Sequence, residues 1–114
     1  MKDNGYLWIW PHWDAFALSR EEYDYAYSIE VTSELILDVD SNKNLVSIEM
    51  LDASKVLNVD KELLNNPHKI IAKIISSDEG IFLTMQFEFK DIVREIDTPI
   101  SEVIVNNNAL VVDA

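Results

Sequence analysis

Cysteine is absent from this chain of 114 residues, and glycine occurs only at Gly5 and Gly80. Without cysteine there are no disulfides and no thiolate chemistry, which favours a reducing compartment, so we expect the cytoplasm. Two isolated glycines leave no glycine-rich loop of the kind that cradles phosphates. No apolar run approaches the roughly 18 residues that a transmembrane helix needs, so we expect no membrane segment.

Basic residues are also scarce, because nine lysines and arginines face 21 aspartates and glutamates, for a net charge of −12. Direct binding to nucleic acid or to an anionic membrane requires a basic surface, so we expect neither. The same charge suits a basic protein as a partner. The alternative explanation is an acidic surface that only keeps the protein in solution.

The side chains that most often carry catalysis or bind metals are few. His12 and His68 are the only histidines and lie far apart in the chain. A zinc site takes three or four ligands, and no serine lies in a nucleophile-elbow motif. We therefore predict no catalytic residues, no metal site and no cofactor, and that the protein is not an enzyme.

The clearest local pattern lies in residues 29–54. Apolar residues occupy mainly the odd positions of Ile29–Asp40, which predicts a strand with one buried face. Leu45–Leu51 predicts the return strand, and the polar residues Ser41–Asn44 predict the hairpin turn. Asp52 follows at a position where its carboxylate could cap the start of a helix.

The acidic residues of this hairpin invite a test as a calcium loop. Asp38, Asp40, Asn42 and Glu49 fit positions one, three, five and twelve of the calcium-binding loop that lies between two helices. The sixth position, however, needs glycine and holds Lys43, and the flanking segments are strands. We interpret the segment as a polar hairpin turn whose carboxylates point outward.

Further short strands are predicted at Tyr6–Trp10, Asp14–Ser19, His68–Ile75 and Ile81–Lys90. Residues 52–66 form the only helical region, with one or two short helices, the second capped by Asp60. Most connections are too short for crossover helices, which favours antiparallel pairing. We predict one α+β domain over residues 1–114. It has a mainly antiparallel, strongly bent or closed sheet of about eight short strands, with the helical region packed on one face.

The C-terminal part is expected to contain breaks and a last hairpin. Thr98-Pro99 is expected to break the regular secondary structure. Two strands, Glu102–Val105 and Ala109–Val112, are expected to form the hairpin. Its apolar side chains would make an exposed strand edge, and such edges invite pairing between copies. A homodimer is therefore expected through Ile104, Val105, Leu110, Val111 and Val112.

Aromatic residues are concentrated near the N-terminus, where Tyr6, Trp8 and Trp10 share one face of the predicted strand and Trp13 follows. This stripe is either a wall packed in the core against the central hairpin, or a surface that stacks a ligand or anchors a protein partner. Stacking on nucleic-acid bases usually requires several lysines and arginines nearby, and the segment has few.

The hairpin residues from Glu30 to Leu51 and the closing run Asp52-Ala53-Ser54 form a recognisable pattern. The segment that contains them, over about residues 13–57, resembles the prokaryotic family called domain of unknown function 2283. Trp13–Leu18 looks like an upstream strand of that family. The family pattern usually has glycine where this chain has Lys43 and Ser47, which implies that Lys43 is left-handed or that the turn is of another type. Some members look like partners of small basic toxins, so the resemblance implies an antitoxin-like role; residues 58–114 resemble no family that we can name. The other matching residues are Glu30, Val31, Ile36, Leu37, Asp38, Asp40, Asn44, Val46, Ile48, Glu49, Leu51, Asp52, Ala53 and Ser54.

Three functional interpretations remain. The first is a non-catalytic acidic module that binds a basic protein, as an antitoxin-like neutralising partner. A variant is a mimic of nucleic-acid charge that inhibits a nucleic-acid-binding protein. The third is a small ligand-binding domain or enzyme, with a pocket near the aromatic strand that contains converging carboxylates and a histidine. The candidate partner-binding residues are Trp8, Trp10, Trp13, Glu30, Glu34, Asp38 and Asp40.

Overall fold

The computed structural model describes residues 5–100 and 109–113. Its first sheet has five antiparallel strands, in the order β1-β2-β5-β4-β3. A short 3₁₀ turn, Pro11–Trp13, joins the first two strands. The strands are β1 (Tyr6–Trp10), β2 (Ala15–Ser19), β3 (Tyr27–Thr32), β4 (Leu35–Val39) and β5 (Leu45–Met50).

Two short helices and a second antiparallel sheet follow, and this sheet has the order β8-β7-β6-β9. Within the described ranges neither helix is long and apolar enough to span a membrane. The elements are α1 (Ala53–Leu57), α2 (Lys61–Leu64), β6 (Lys69–Ser77), β7 (Gly80–Glu88), β8 (Val93–Ile100) and β9 (Ala109–Asp113).

The predicted antiparallel pairing and the two short helices are confirmed, but the strands form two sheets instead of one. In the described part of the chain neither sheet closes, since β1 and β3 are the edges of the first and β8 and β9 those of the second. One hydrophobic cluster receives side chains from both sheets and from both helices. Within it the rings of Phe16 and Phe87, one from each sheet, meet edge to face at 5.6 Å.

The single strand predicted for Ile29–Asp40 is wrong, because the chain turns at residues 33–34 and divides it into β3 and β4. Twelve extended residues would span about 40 Å, which exceeds the longest dimension of the molecule, 35 Å. The Glu34 N–H donates to Thr32 Oγ1 at 3.2 Å within this turn. The alternation of apolar and polar residues continues through the turn, because Ile29 of β3 pairs with Leu37 of β4 and both side chains face the core.

The core-facing side of β5 is irregular at the start of the strand. A register shift between Asp38 and Val39 places Leu45 opposite Val39. Leu45 therefore belongs to the core cluster together with Ile48 and Met50, whereas Val46 is buried outside that cluster. A strand irregularity of this kind changes which side chain faces inward without changing the composition of the strand.

The prediction that the Asp52 carboxylate caps α1 is wrong. Asp52 is left-handed, with φ 50°, and its side chain makes no capping hydrogen bond, whereas a capping side chain normally works from an extended backbone. Asp14 does this instead, because its Oδ1 accepts the Ser54 N–H at 3.1 Å and its Oδ2 accepts the Ser54 hydroxyl at 2.6 Å. Asp60 precedes α2 as predicted, but it too makes no side-chain capping bond.

The break predicted at Thr98-Pro99 is wrong, since β8 continues through both residues to Ile100. A strand at the edge of a sheet can contain proline when the position that lacks an N–H points away from the neighbouring strand. In β8, Pro99 lies opposite Phe82 of β7, and no strand of the described chain pairs with the other side.

Within the described residues the predicted exposed apolar edge is wrong, because the side chains of Leu110, Val111 and Val112 are buried. Gly5 lies against β9, since its N–H donates to the Val111 carbonyl at 3.0 Å. A Cβ on Gly5 would lie 3.1 Å from Val112 Cγ2, so glycine permits this approach. The predicted strand Glu102–Val105 lies outside the described residues. The homodimer stays a prediction, but the exposed apolar edge that suggested it is not found in the described residues.

Candidate protein-binding surface

The side of the first sheet that faces away from the core, here called the outer face, has a regular composition. The pairing register places Trp8, Ala17, Glu49, Ile36 and Glu30 in one row across all five strands. Neighbouring strands are about 4.8 Å apart, so the row is about 19 Å long. It begins with an indole on the β1 edge and ends with a carboxylate on the β3 edge.

The next row along the strands is polar. It contains Tyr6, Ser19, Ser47, Asp38 and Ser28. The Ser28 hydroxyl donates to the Asp38 carboxylate at 2.7 Å, which holds one acidic side chain of the predicted set on this face. The outer face is therefore aromatic along one edge, lined by small residues beside it, and acidic beyond them.

The aromatic residues are on the surface, so the interpretation as a core wall is wrong. Trp8 is 53% exposed and Trp13 71% exposed, and Tyr6 and Trp10 are also exposed. Because side chains alternate along a strand, Leu7 and Ile9 pack against the core while the aromatic rings of β1 point outward.

Two local contacts fix the orientation of indoles on this face. The Trp8 Nε1–H donates to Ser19 Oγ at 3.0 Å, which holds the ring towards the neighbouring strand. The ring of Trp13 meets that of His12 edge to face at 5.1 Å. After Trp13 the chain turns back into β2 through Asp14, which is left-handed with φ 51°.

An open depression of about 470 Å³ lies at one end of the outer face. Its lining consists of Trp10, Trp13, Ala15, Glu49 and Leu51. In the described chain no side chain donates a hydrogen bond to the Glu49 carboxylate. Aromatic faces next to a free carboxylate form an environment that attracts an organic cation.

The charge of the face agrees with this chemistry. The five strands of the first sheet contain no lysine or arginine, and their acidic residues are Glu30, Asp38 and Glu49. In contrast, β6 carries two lysines and β8 an arginine. The acidity of the chain is thus not balanced locally on the outer face, although it is on the second sheet.

Asp40 has a structural task in the β4–β5 turn. Its Oδ1 accepts the N–H groups of Asn42 and Asn44 at 2.9 and 2.8 Å, and its Oδ2 accepts the Asn44 side-chain amide at 3.3 Å. The Asn44 N–H is the largest cause of a lowered pKa of Asp40, and the charge of Arg20 contributes. Lys43 has φ 65°, which confirms a left-handed residue in this turn.

The predicted contact residues therefore divide into groups. Trp8, Trp10 and Trp13 share the outer face with Glu30 and Asp38. Glu34 is in the β3–β4 turn, where its carbonyl accepts the Leu51 N–H at 2.8 Å beside the depression. Asp40 is in the turn at the opposite end of β4.

Leu51 and Glu49 are not among the partner-binding residues predicted from the sequence, where Glu49 was tested as a ligand only for calcium. Glu49 lies within β5, as predicted, paired with Ala17 on one side and Ile36 on the other. Its position near the tryptophans follows from the pairing of β2 with β5. That pairing joins segments about 30 residues apart, and no local pattern encodes it.

The arrangement offers little that resembles a catalytic site. The depression is lined by one carboxylate and by no histidine, instead of the converging carboxylates and histidine that the third interpretation requires. Asp14 and Ser54 are hydrogen-bonded, but the nearby His12 packs on Trp13. In the described ranges no three histidine, aspartate or glutamate residues come together to hold a metal ion.

Residues 11–54 match the family model described as "Protein of unknown function (DUF2283)", which confirms the resemblance for this segment. A Methanosarcina mazei protein named "Putative hypoxanthine phosphoribosyltransferase" is 40% identical over 62 residues, which are 54% of this chain and 50% of that protein. The chain thus spans about half the length of this curated relative. No solved structure matches the chain significantly.

Proposed function

We propose that the protein is a non-catalytic module that binds a basic protein through its outer face. The observation that carries this proposal is the combination, on one sheet face, of exposed tryptophans with carboxylates and no basic residue. An antitoxin-like partnership with a small basic protein is one form of this function. Since the chain has no cysteine, we place this function in a reducing compartment such as the cytoplasm.

The exposed indoles supply a reason for binding. Large aromatic side chains on a surface lose contact with water when a partner covers them, and tryptophan is among the residues that contribute most to protein interfaces. Trp8, Trp10 and Trp13 lie at one side of the face, where the small side chains Ala15 and Ala17 leave room for a partner to approach.

The carboxylates supply a reason for selectivity. A negative surface attracts a positive partner during diffusion and disfavours acidic or neutral competitors. On the outer face, Glu30, Asp38 and Glu49 act in this way without a neighbouring cation in the same strands to weaken their field. Association should therefore weaken as salt is added.

Two other functions receive less support. A mimic of nucleic-acid charge requires acidic side chains that repeat along a surface, whereas aromatic and small residues interrupt them on this face. Transfer of a phosphoribosyl group, suggested by the name of the Methanosarcina mazei relative, requires binding of phosphates. The chain has only two isolated glycines for a phosphate loop.

A basic peptide of defined sequence tests the proposal. The probe is a capped 12-residue peptide of alternating arginine and serine, titrated into the isotope-labelled protein at low and moderate salt. Resonances of the outer face, including the Trp8 indole, should shift while those of the β6–β7 turn do not. Glu30→Lys should weaken binding about fivefold more than Glu79→Lys, a matched change of charge in that exposed turn.

Circular dichroism first establishes that both variants keep the fold. If the two variants weaken binding equally, and shifts spread over the whole surface, then the peptide responds only to net charge. That result would remove the outer face as a specific binding surface.

A further inference from the structure

We infer that the depression formed by Trp10, Trp13, Ala15, Glu49 and Leu51 is an anchor pocket for one arginine side chain of the basic partner. The inference rests on the proposed function, because the arginine belongs to the protein that covers the outer face. It goes further by assigning one residue type to one pocket.

The walls of the pocket have the spacing that a long cationic side chain needs. Trp10 ends β1 and pairs with Ala15 of β2, while Glu49 lies in β5, the next strand of the sheet. The backbones of β1 and β5 are two strand spacings apart, or about 10 Å. The small Ala15 side chain lies between them and forms a low floor.

Each wall has a counterpart in arginine. The planar guanidinium stacks on an indole face and donates two parallel hydrogen bonds to a carboxylate. Its aliphatic stem can pack on the apolar side chain of Leu51, which also lines the depression. A lysine ammonium would gain the attraction to the rings and to Glu49, but not the flat stacking or the paired hydrogen bonds.

The pocket discriminates against other occupants. An anion would meet the Glu49 carboxylate, and a neutral aromatic ligand would remove water from that carboxylate without a hydrogen bond in return. A second cavity that Trp10 also lines is much smaller, about 100 Å³, and its lining already includes a cation, Lys61, together with Asp14 and Glu62. The larger depression is therefore the site suited to a cation supplied from outside.

Three capped tripeptides that differ at one residue test the assignment. They are glycine-arginine-glycine, its lysine counterpart and its citrulline counterpart, which keeps the shape of arginine without the charge. The indole N–H resonances report binding, with Trp8 as an internal reference outside the pocket lining. The arginine peptide should bind in roughly the millimolar range, about threefold tighter than lysine and at least about tenfold tighter than citrulline.

Two variants locate the site. Glu49→Gln and Trp13→Ala should each weaken arginine binding about tenfold, and both side chains are exposed, so the fold should survive. Glu79→Gln makes the same change of charge at the distant β6–β7 turn and should leave binding unchanged. Equal binding of arginine and citrulline, equal binding of arginine and lysine, or equal loss in Glu49→Gln and Glu79→Gln would overturn the assignment.

The two proposals fail separately. If the tripeptide ignores the pocket but the longer arginine peptide still distinguishes Glu30→Lys from Glu79→Lys, the outer face stands and the anchor falls. If the tripeptide binds as expected but the longer peptide does not distinguish those variants, the pocket stands and the wider face falls.

Discussion

The contact between Asp14 and Ser54 provides a sharp test of how the first sheet is held to α1. Replacing Ser54 with alanine removes the 2.6 Å hydrogen bond from its hydroxyl to Asp14 Oδ2 but keeps the 3.1 Å bond from its backbone N–H to Oδ1. Asp14 is 8% exposed, so water can replace the lost donor only poorly. The variant therefore isolates one charge-assisted hydrogen bond.

The expected cost follows from two opposing terms. A hydrogen bond to a charged group contributes about 1.5–3 kcal/mol to stability. Alanine has a higher helix propensity than serine, by about 0.5 kcal/mol, and Ser54 lies in the first turn of α1. Ser54→Ala should therefore lower the free energy of unfolding by about 1–2.5 kcal/mol, and Tm by about 4–10 °C.

Urea unfolding followed by far-ultraviolet circular dichroism measures this change, which should appear in the midpoint without a change of slope. Ser76→Ala, at an exposed position of β6, is the matched control and should stay within about 0.5 kcal/mol of the parent protein. Asp14→Asn keeps a residue that tolerates the left-handed backbone, and combined with Ser54→Ala it completes a double-mutant cycle. A coupling energy near zero would refute the reasoning.

Three further predictions concern other parts of the fold. Lys43→Gly should raise the free energy of unfolding by about 0.5 kcal/mol. Glycine removes the left-handed strain of about 1–2 kcal/mol, which exceeds the cost of the extra conformational entropy that glycine gives the unfolded chain. Thermal melts should show this gain for Lys43→Gly and not for Lys43→Ala. The pKa of Asp40 is lowered from 3.8, mainly by the Asn44 N–H, so its charged form stabilises the fold above that value and the gain is lost as the pH falls through the folded pKa. Melting temperatures of Asp40→Asn and the parent should therefore differ at neutral pH and converge as the pH falls below the folded pKa of Asp40. A double-mutant cycle with leucine at Phe16 and Phe87 should give a coupling of about 0.5–1.5 kcal/mol in urea unfolding, and none if the two sheets do not meet there.

The strands that the sequence predicts correctly are those whose pattern is local. Tyr6–Trp10 is found as predicted, and the strand predicted at Ile81–Lys90 is found as β7, Gly80–Glu88. The split of Ile29–Asp40 was missed because its turn contains neither glycine nor proline, and because the paired strands keep the alternation in phase. The division into two sheets depends on long-range pairing, such as that of β9 with β6, which periodicity does not encode.

The candidate site shows the same limit. Alternation indicates that Tyr6, Trp8 and Trp10 share a face, but it does not say which face is buried. The core selects the side that carries Leu7 and Ile9, since these branched side chains pack against it while the larger indoles remain outside. The large apolar area of the indole rings favours their burial. Only the packing of the sheet shows that they lie outside the core.

The family-matching segment and the proposed pocket meet at Asp14. This residue lies near the start of the matched residues 11–54 and binds Ser54 at their end, so the contact closes the segment on itself. The Asp14 N–H also donates to the Pro11 carbonyl at 3.2 Å, which fixes the short turn that carries Trp13. The contact therefore gives a structural role to two residues at the ends of the matched segment. Because the same residue also fixes the turn that carries Trp13, the closure of the matched segment and the position of one wall of the depression depend on a single side chain and its backbone.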